Sequence, residues 1–369
     1  MEVHPKYRRY FSRIVSFGLI WLVFGLAYSF VEYGIMGRET IYPATGNKYN
    51  FQSTLLYAGF GSFLMGLLQG WIEVIWLRKR FENKPFWLKI IVKGSFYVTL
   101  IIFFLTFVAI ATNMEHLNSG PFDPAVLDSL YRFIRRFSFW SIIIYVSLIL
   151  GVSLFYSEVS EYLGFGVLRN FFIGKYHSPK LETRIFMFLD MKSSTTIAEK
   201  IGHKKFFDLL KDYYADMTNA ILETSGQIYQ YVGDEIVISW NKNEGLYKNN
   251  CLQCFVKILN AITENKESYL EKFGVIPEFK AGYHIGEVTS GEIGILKKDI
   301  IYTGDVLNTT ARLQAQCNRY NAKALISGQL LEELQMDDSI SYSKIGELAL
   351  RGKSELISLY SLDFQDLLS

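Results

Sequence analysis

The chain has 369 residues, of which 50% are hydrophobic, 16% aromatic and only 20% charged. That apolar excess stands well above a soluble average, leaving buried helices of a soluble domain as the alternative to membrane spans, and the length suits two domains. Thirty-eight Lys and Arg against 36 Asp and Glu leave a net charge of +2, too balanced for a nucleic-acid binder, and three cysteines build no disulfide framework.

The apolar residues concentrate at the front. Four runs, 14–34, 55–77, 94–112 and 137–156, each come near the roughly 20 residues a helix needs to cross a bilayer, so residues 1–156 are expected to form a transmembrane domain. A removable signal peptide does not fit, because the first run is long, follows Lys6-Tyr7-Arg8-Arg9 and lacks a small-residue cleavage site. Arg8, Arg9 and Arg13 before the first run, with Arg78, Lys79 and Arg80 after the second, place both ends in the cytoplasm by the positive-inside rule. Asn113–Leu130 carries no Lys or Arg and is expected outside, whereas Arg132, Arg135 and Arg136 sit on that same side against the rule. An even number of spans puts the remainder of the chain in the cytoplasm, at a plasma (inner) membrane. Glu73 lies well inside an apolar run but near its cytoplasmic end, and is expected to reach interfacial water.

Residues 157–180 form a connector. Ser157–Tyr162 is acidic and polar, Phe165–Phe172 is apolar, and Pro179 ends any helix before it. A strain-transmitting helix and a passive tether both fit this composition.

Residues 181–369 alternate strand and helix patterns. Arg184–Leu189 is an almost unbroken apolar run ending on Asp190, as expected of a buried strand that delivers a carboxylate to a sheet edge. Ser193, Ser194, Thr195 and Thr196 suit a tight loop capping a helix, and that helix is amphipathic, with Phe207, Leu210, Tyr214, Met217 and Ile221 at three- and four-residue steps. Gln227–Tyr231 and Glu235–Trp240 read as strands joined by a turn at Gly233-Asp234. Pairing the first strand beside this hairpin brings Asp190 and Asp234 together. Two carboxylates of this kind suit a hard divalent cation completed by phosphate oxygens and water, and the loop Met191–Thr196 offers free N–H groups to a polyphosphate.

Further on, Leu246–Asn265 is helical, with Cys251 and Cys254 as structural thiols inside the pattern. Glu278–Ile285 is a strand, and the three glycines of Gly286–Gly294 suggest a hairpin. Ile300–Thr303 is a strand, Asn308–Asn318 a helix, Leu325–Ser327 a strand, and Leu348–Tyr360 strand and loop. His284 is expected to be packed, and no histidine stands where a required base would.

The stretch Asp299–Leu313, DIIYTGDVLNTTARL, completes a pattern. With the F-x-D-M-x-x-S-T around Asp190 and the G-D-E around Asp234, it resembles the catalytic domain of the class III nucleotidyl cyclases, over roughly residues 180–362. The resemblance implies an α/β (α+β) domain with a ferredoxin-like core, working as a head-to-tail homodimer with nucleoside triphosphate, ATP by default, at the interface. It also implies that Asp190 and Asp234 hold two Mg²⁺ or Mn²⁺ ions, with Met191 lending a carbonyl, and that Ser193, Ser194 and Thr195 approach phosphate. Asn308 and Arg312 match the transition-state pair. Four residues apart on a helix, they share a face, the Asn suited to the ribose and the Arg to the α-phosphate. Arg351 and Lys353 match the basic loop that contacts the β- and γ-phosphates, either cation being suited to it.

Base recognition departs from the family. Gln230 stands where adenylate cyclases carry Lys, and Ile301 where they carry Asp or Thr. Gln both donates and accepts, but Ile does neither. The expected function is a membrane-anchored adenylate cyclase making 3′,5′-cyclic AMP and pyrophosphate. The alternatives are a cyclase for GTP or a pyrimidine triphosphate, and a silent signalling protein that keeps the fold.

Overall fold

The computed structural model describes residues 5–41, 48–77, 81, 84–163, 170, 173–296, 298–336, 340–349 and 356–364. It divides into two compact units, Arg8–Arg169 and a second made chiefly of Asn170–Ser369.

The first unit is helical. Helices α1 (Pro5–Met36), α2 (Phe51–Ile72), α3 (Phe86–Leu117) and α5 (Phe137–Leu163) contain four stretches long and apolar enough to cross a membrane. Helices α1 and α3 run past both ends of the apolar windows read from sequence, α5 past the C-terminal end, and α2 starts before its window but gives way to a π-helical turn within it. Asn50 caps α2 by accepting from the Ser53 N–H at 3.0 Å, and Pro85 opens α3. The segment Asn113–Leu130 is not simply a loop. It closes α3 and opens α4 (Pro124–Arg135), an amphipathic helix with Val126 buried. Arg132 there pairs with Asp128 at 3.0 Å, and Arg135 lies over the Tyr131 ring at 4.8 Å. Arg78, Lys79 and Arg80 lie outside the described residues.

Two expectations fail here for one reason. Glu73 does not reach water: it is 3% exposed, in a π-helical turn (Glu73–Leu77) that follows α2. Glu158, assigned by sequence to a polar connector, lies within α5 and is 2% exposed. Lys93 of α3 bonds to Glu73 and, at 2.9 Å, to Glu158, while Lys89 reaches Glu158 at 3.0 Å and the Tyr97 hydroxyl donates to Glu73 at 3.1 Å. Two acids and two amines close on one another, which lets all four leave solvent. Nearby, the Gln69 side-chain oxygen Oε1 accepts from Trp21 Nε1 and from the Ser153 hydroxyl.

The second unit is built on an eight-stranded sheet. Its strands are β1 (Lys180–Met191), β2 (Gln227–Val232), β3 (Glu235–Asn241), β4 (Phe279–Ile293), β5 (Asp299–Thr303), β6 (Ala324–Ser327), β7 (Ser341–Ala349) and β8 (Leu356–Asp363). The order is β2-β3-β1-β4-β6-β8-β7, with β5 on the far half of β4. Strand β1 is central, antiparallel to β3 and β4, and both its faces are covered. That explains its unbroken apolar run. Odd-numbered Ile185, Met187 and Leu189 enter the main core with Ile236, Ile238 and Trp240. That core is closed by α7 (His203–Glu223) and α9 (Asn250–Glu264). Even-numbered Phe186 and Phe188 meet Val237, Val288 and Val306 on the other face, where α11 (Asp305–Gln316) lies.

Three local differences have physical causes. Phe207 is 62% exposed; α7 buries Leu209, Tyr213, Met217, Ala220 and Ile221 instead, with Leu210 and Tyr214 at the margin of the core. The hairpin read in Gly286–Gly294 is present but turns only at Gly294: β4 continues through Gly286 and Gly291 to Ile293, then pairs antiparallel with β5. Strand β7 is read from the sequence only at its end, within Leu348–Tyr360, because an edge strand this rich in Ser, Lys, Gly and Glu shows little apolar alternation. Cys251 and Cys254 are fully buried, and burial pushes both thiols up to about 12, as structural thiols require.

Candidate active site

Asp190 ends β1 on its even-numbered face. Its cross-strand neighbours are Glu235 on β3 and Lys280 on β4. Asp234 occupies the turn between β2 and β3, which closes because Gly233 adopts φ +64, a left-handed value that favours glycine. Tyr214 of α7 braces that turn. Its hydroxyl donates to the Gly233 carbonyl at 2.9 Å, and its ring lies 4.6 Å from that of Tyr231.

The carboxyl groups of Asp190 and Asp234 come within hydrogen-bonding reach. Burial first, then the charge of Asp234, raises the Asp190 carboxyl above its usual range, and Lys280 offsets only part of this. Glu235 is pushed up to about 7 by burial and by the charges of Asp190 and Asp234. Lys280, itself buried, lies 3.4 Å from Asp190 Oδ2, and Gln314 of α11 donates to the same oxygen at 3.0 Å. The expected pairing of Asp190 with Asp234 is therefore present in the fold, and the residues around it amount to three acids facing one amine. Hard oxygen donors short of positive charge fit a divalent cation. Among the described residues no three His, Cys, Asp or Glu side chains converge as a ready-made metal cage.

After Met191, Ser193 turns left-handed at φ 54, and α6 (Ser194–Ile201) begins. Ser193 and Thr195 are exposed and Ser194 half-buried. The opening N–H groups of a helix therefore stand four residues beyond Asp190. The Ser193 side chain makes no capping bond, contrary to the capping role read for it.

Helix α11 presses Val306, Thr309, Thr310, Leu313 and Gln314 toward the sheet. At 100° per residue, Asn308 and Arg312 lie 40° apart and roughly opposite Thr310 and Gln314. They share a face, as read from sequence, and it is the face turned from their own Asp190. Asn308 is exposed and Arg312 half-buried.

Gln230 is exposed on β2 opposite Val237, just past a bulge at Tyr229. Ile301 is half-buried on β5 opposite Gly291. The strands carrying them meet through their neighbours, with Tyr229 and Tyr302 at 4.9 Å between ring centroids. Arg184, 1% exposed, stacks over Tyr302 at 4.7 Å and bonds to Asn241, Gln227 and Ser239. His284 is packed, its Nδ1 2.8 Å from the Ser327 hydroxyl. Arg351 and Lys353 lie outside the described residues.

Sequence reasoning missed Lys280, Gln314 and Tyr214, and passed over Glu235 as a site residue. Glu235 and Lys280 carried a signal, since strand register alone places them beside Asp190. Gln314 carried none.

The fold and this arrangement define a class: an antiparallel-centred α/β domain with paired strand-end carboxylates and an Asn–Arg helix. The sequence profile of the adenylate and guanylate cyclase catalytic domain matches residues 177–363, just over half the chain, and the chain belongs to that family. It is 32% identical over 222 residues to adenylate cyclase 2 of Rhizobium meliloti (strain 1021), covering 60% of this chain and 61% of that one. With the adenylate cyclase of Anabaena cylindrica it shares 26% over 180 residues, 48% of this chain and 36% of the other. The chain thus spans about three fifths or less of these relatives. A bacterial light-regulated adenylyl cyclase structure superposes with a TM-score of 0.52 at 20% identity, covering 63% of this chain and 68% of that one, a likeness of fold.

Proposed function

We propose that the protein is a membrane-anchored adenylate cyclase, converting ATP to 3′,5′-cyclic AMP and pyrophosphate as a homodimer. The observation that carries this reading is the crowding of Asp190, Asp234 and Glu235 around Lys280, on a chain that also keeps Asn308 and Arg312. A silent family member has no need of a charge-deficient carboxylate pair.

Asp190 and Asp234, with the Met191 carbonyl, would hold Mg²⁺ or Mn²⁺. When bound, such ions lower the pKa of the ribose 3′-hydroxyl and neutralise charge on the phosphates. The 3′-oxygen forms a bond to the α-phosphorus, the bond to the bridging oxygen breaks, and pyrophosphate leaves with that electron pair. The hydroxyl proton passes to water or a substrate phosphate. Asn308 orients the ribose. Arg312 offers forked donors to the α-phosphate as negative charge builds there. Because both residues face away from their own Asp190, a second chain is the natural recipient. N–H groups at Ser193, Ser194 and Thr195 and the cations Arg351 and Lys353 are assigned to the phosphates. The four apolar helices anchor the chain, with its N-terminus and cyclase domain cytoplasmic.

ATP is favoured because the curated relatives are named adenylate cyclases. A GTP or pyrimidine triphosphate cyclase is the second reading, motivated by Gln230 and Ile301 in place of the adenine-reading residues. The test is the purified full-length chain in detergent with Mn²⁺ and ATP, GTP, CTP or UTP, with cyclic product identified by mass and Asp234→Ala as control. Cyclic AMP lost in the variant supports the proposal. A different cyclic nucleotide moves the substrate, and no product from any triphosphate overturns the enzyme reading.

A further inference from the structure

Asp190 Oδ2 is addressed from two sides, by Gln314 Nε2 at 3.0 Å and by Lys280 Nζ at 3.4 Å. The Asp234 carboxyl lies within hydrogen-bonding reach of the same group. Lys280 is anchored in turn by Asn318 Oδ1 at 3.3 Å. Gln314 is 6% exposed, and its backbone is seated as firmly as its side chain. A Cβ on Gly282 would come 2.3 Å from Gln314 N and 2.7 Å from Thr310 O, so α11 touches β4 backbone to backbone at this residue. Just beyond the helix end, the Cys317 thiol lies 3.3 Å from the Ala281 carbonyl.

A buried amide in that place has a specific chemistry. It donates one N–H to a carboxylate without adding a fourth negative charge to Asp190, Asp234 and Glu235. It also sits on the helix whose opposite face carries Asn308 and Arg312. Any turn of α11 that moves those two residues also moves the donor on Asp190.

We infer that Gln314 is a positioning residue: it orients Asp190 for the cation and fixes the metal aspartate and the Asn308–Arg312 pair in one rigid body. The inference rests on the metal-dependent cyclase reading above and deepens it. The bond joins residues 124 apart in sequence, and it is the direct side-chain link from α11 to the carboxylate pair.

The test is Mn²⁺ binding to the full-length protein by isothermal titration calorimetry, comparing wild type with Gln314→Met, which keeps length but removes the donor. Gln314→Asn keeps the amide but falls short, and serves should the Met variant fail to fold. Residues that hold a metal ligand in place are worth roughly 10–100-fold in affinity. Both variants are expected to weaken Mn²⁺ about tenfold, and cyclase assays should show the same displacement in Mn²⁺ requirement with the nucleotide KM unchanged at saturating Mn²⁺. Unchanged Mn²⁺ affinity in a folded variant, with or without a lowered melting temperature, overturns the positioning role. A wild-type protein that neither binds Mn²⁺ nor cyclises a nucleotide overturns the reading beneath it instead.

Discussion

In the helical unit, Glu73 and Glu158 are each met by lysine, so two buried acids and two buried amines cancel. In the sheet unit, Asp190, Asp234 and Glu235 share Lys280, and burial, with the surplus negative charge added to it, raises Asp190 and Glu235 out of the usual carboxylate range. Both clusters are buried or half-buried, so the difference between them lies in the stoichiometry of charge. A balanced cluster is complete in itself and acts on structure. An unbalanced one is stable only with a proton or a cation added, which is the state a metal-dependent site needs before its ligand arrives.

The largest effect expected from this contrast is at Asp234. Asp234→Asn should cost about three orders of magnitude in cyclase rate, ~4 kcal/mol of barrier. The same change relieves repulsion, so in the absence of metal the variant should melt above wild type. A variant that loses both activity and stability would show that Asp234 is held by compensating contacts, as Glu73 is. Lys93→Met should act the opposite way. It strips Glu73 of its amine and Glu158 of one of two, and removing one member of a buried ion cluster costs about 3–5 kcal/mol. Thermal unfolding of the helical unit should show a large drop that added Mn²⁺ does not restore.

A smaller effect sharpens the comparison through pH. Glu235 has its folded carboxyl raised from 4.5 to about 7, so over that window the folded chain keeps a proton that the unfolded chain has released. Its stabilising contribution is present at low pH and lost as pH rises through 7. Metal-free wild type should therefore lose stability from pH 5 to 8, and Glu235→Gln should flatten that slope, with a difference of about 2–4 °C in melting temperature per kcal/mol. Mn²⁺ should flatten it too.

Much of this was legible in the sequence. The unbroken run from Arg184 to Leu189 announced a strand covered on both faces, and the Gly233-Asp234 turn announced the hairpin that carries the second acid. The even spacing of Asn308 and Arg312 gave their shared face. What failed was contact between distant segments. Glu73 read as an interfacial acid because its partner Lys93 is on another helix, and Glu158 lies a further 65 residues along. The glycines of 286–294 read together as a turn because nothing in their own segment shows what covers the strand, Val306 at Gly286 and Pro179 at Gly291. Gln314 was invisible for the same reason: a glutamine at the end of a helix acquires a role only when Gly282 lets that helix reach the sheet.

The most direct measurement of the central claim is thermal unfolding of the full-length protein in detergent, with and without Mn²⁺, for wild type and for Asp190→Asn/Asp234→Asn. Surplus charge at the carboxylate pair predicts that Mn²⁺ raises the wild-type midpoint and leaves the double variant where it was. An equal rise in both proteins, or none in wild type, would contradict it.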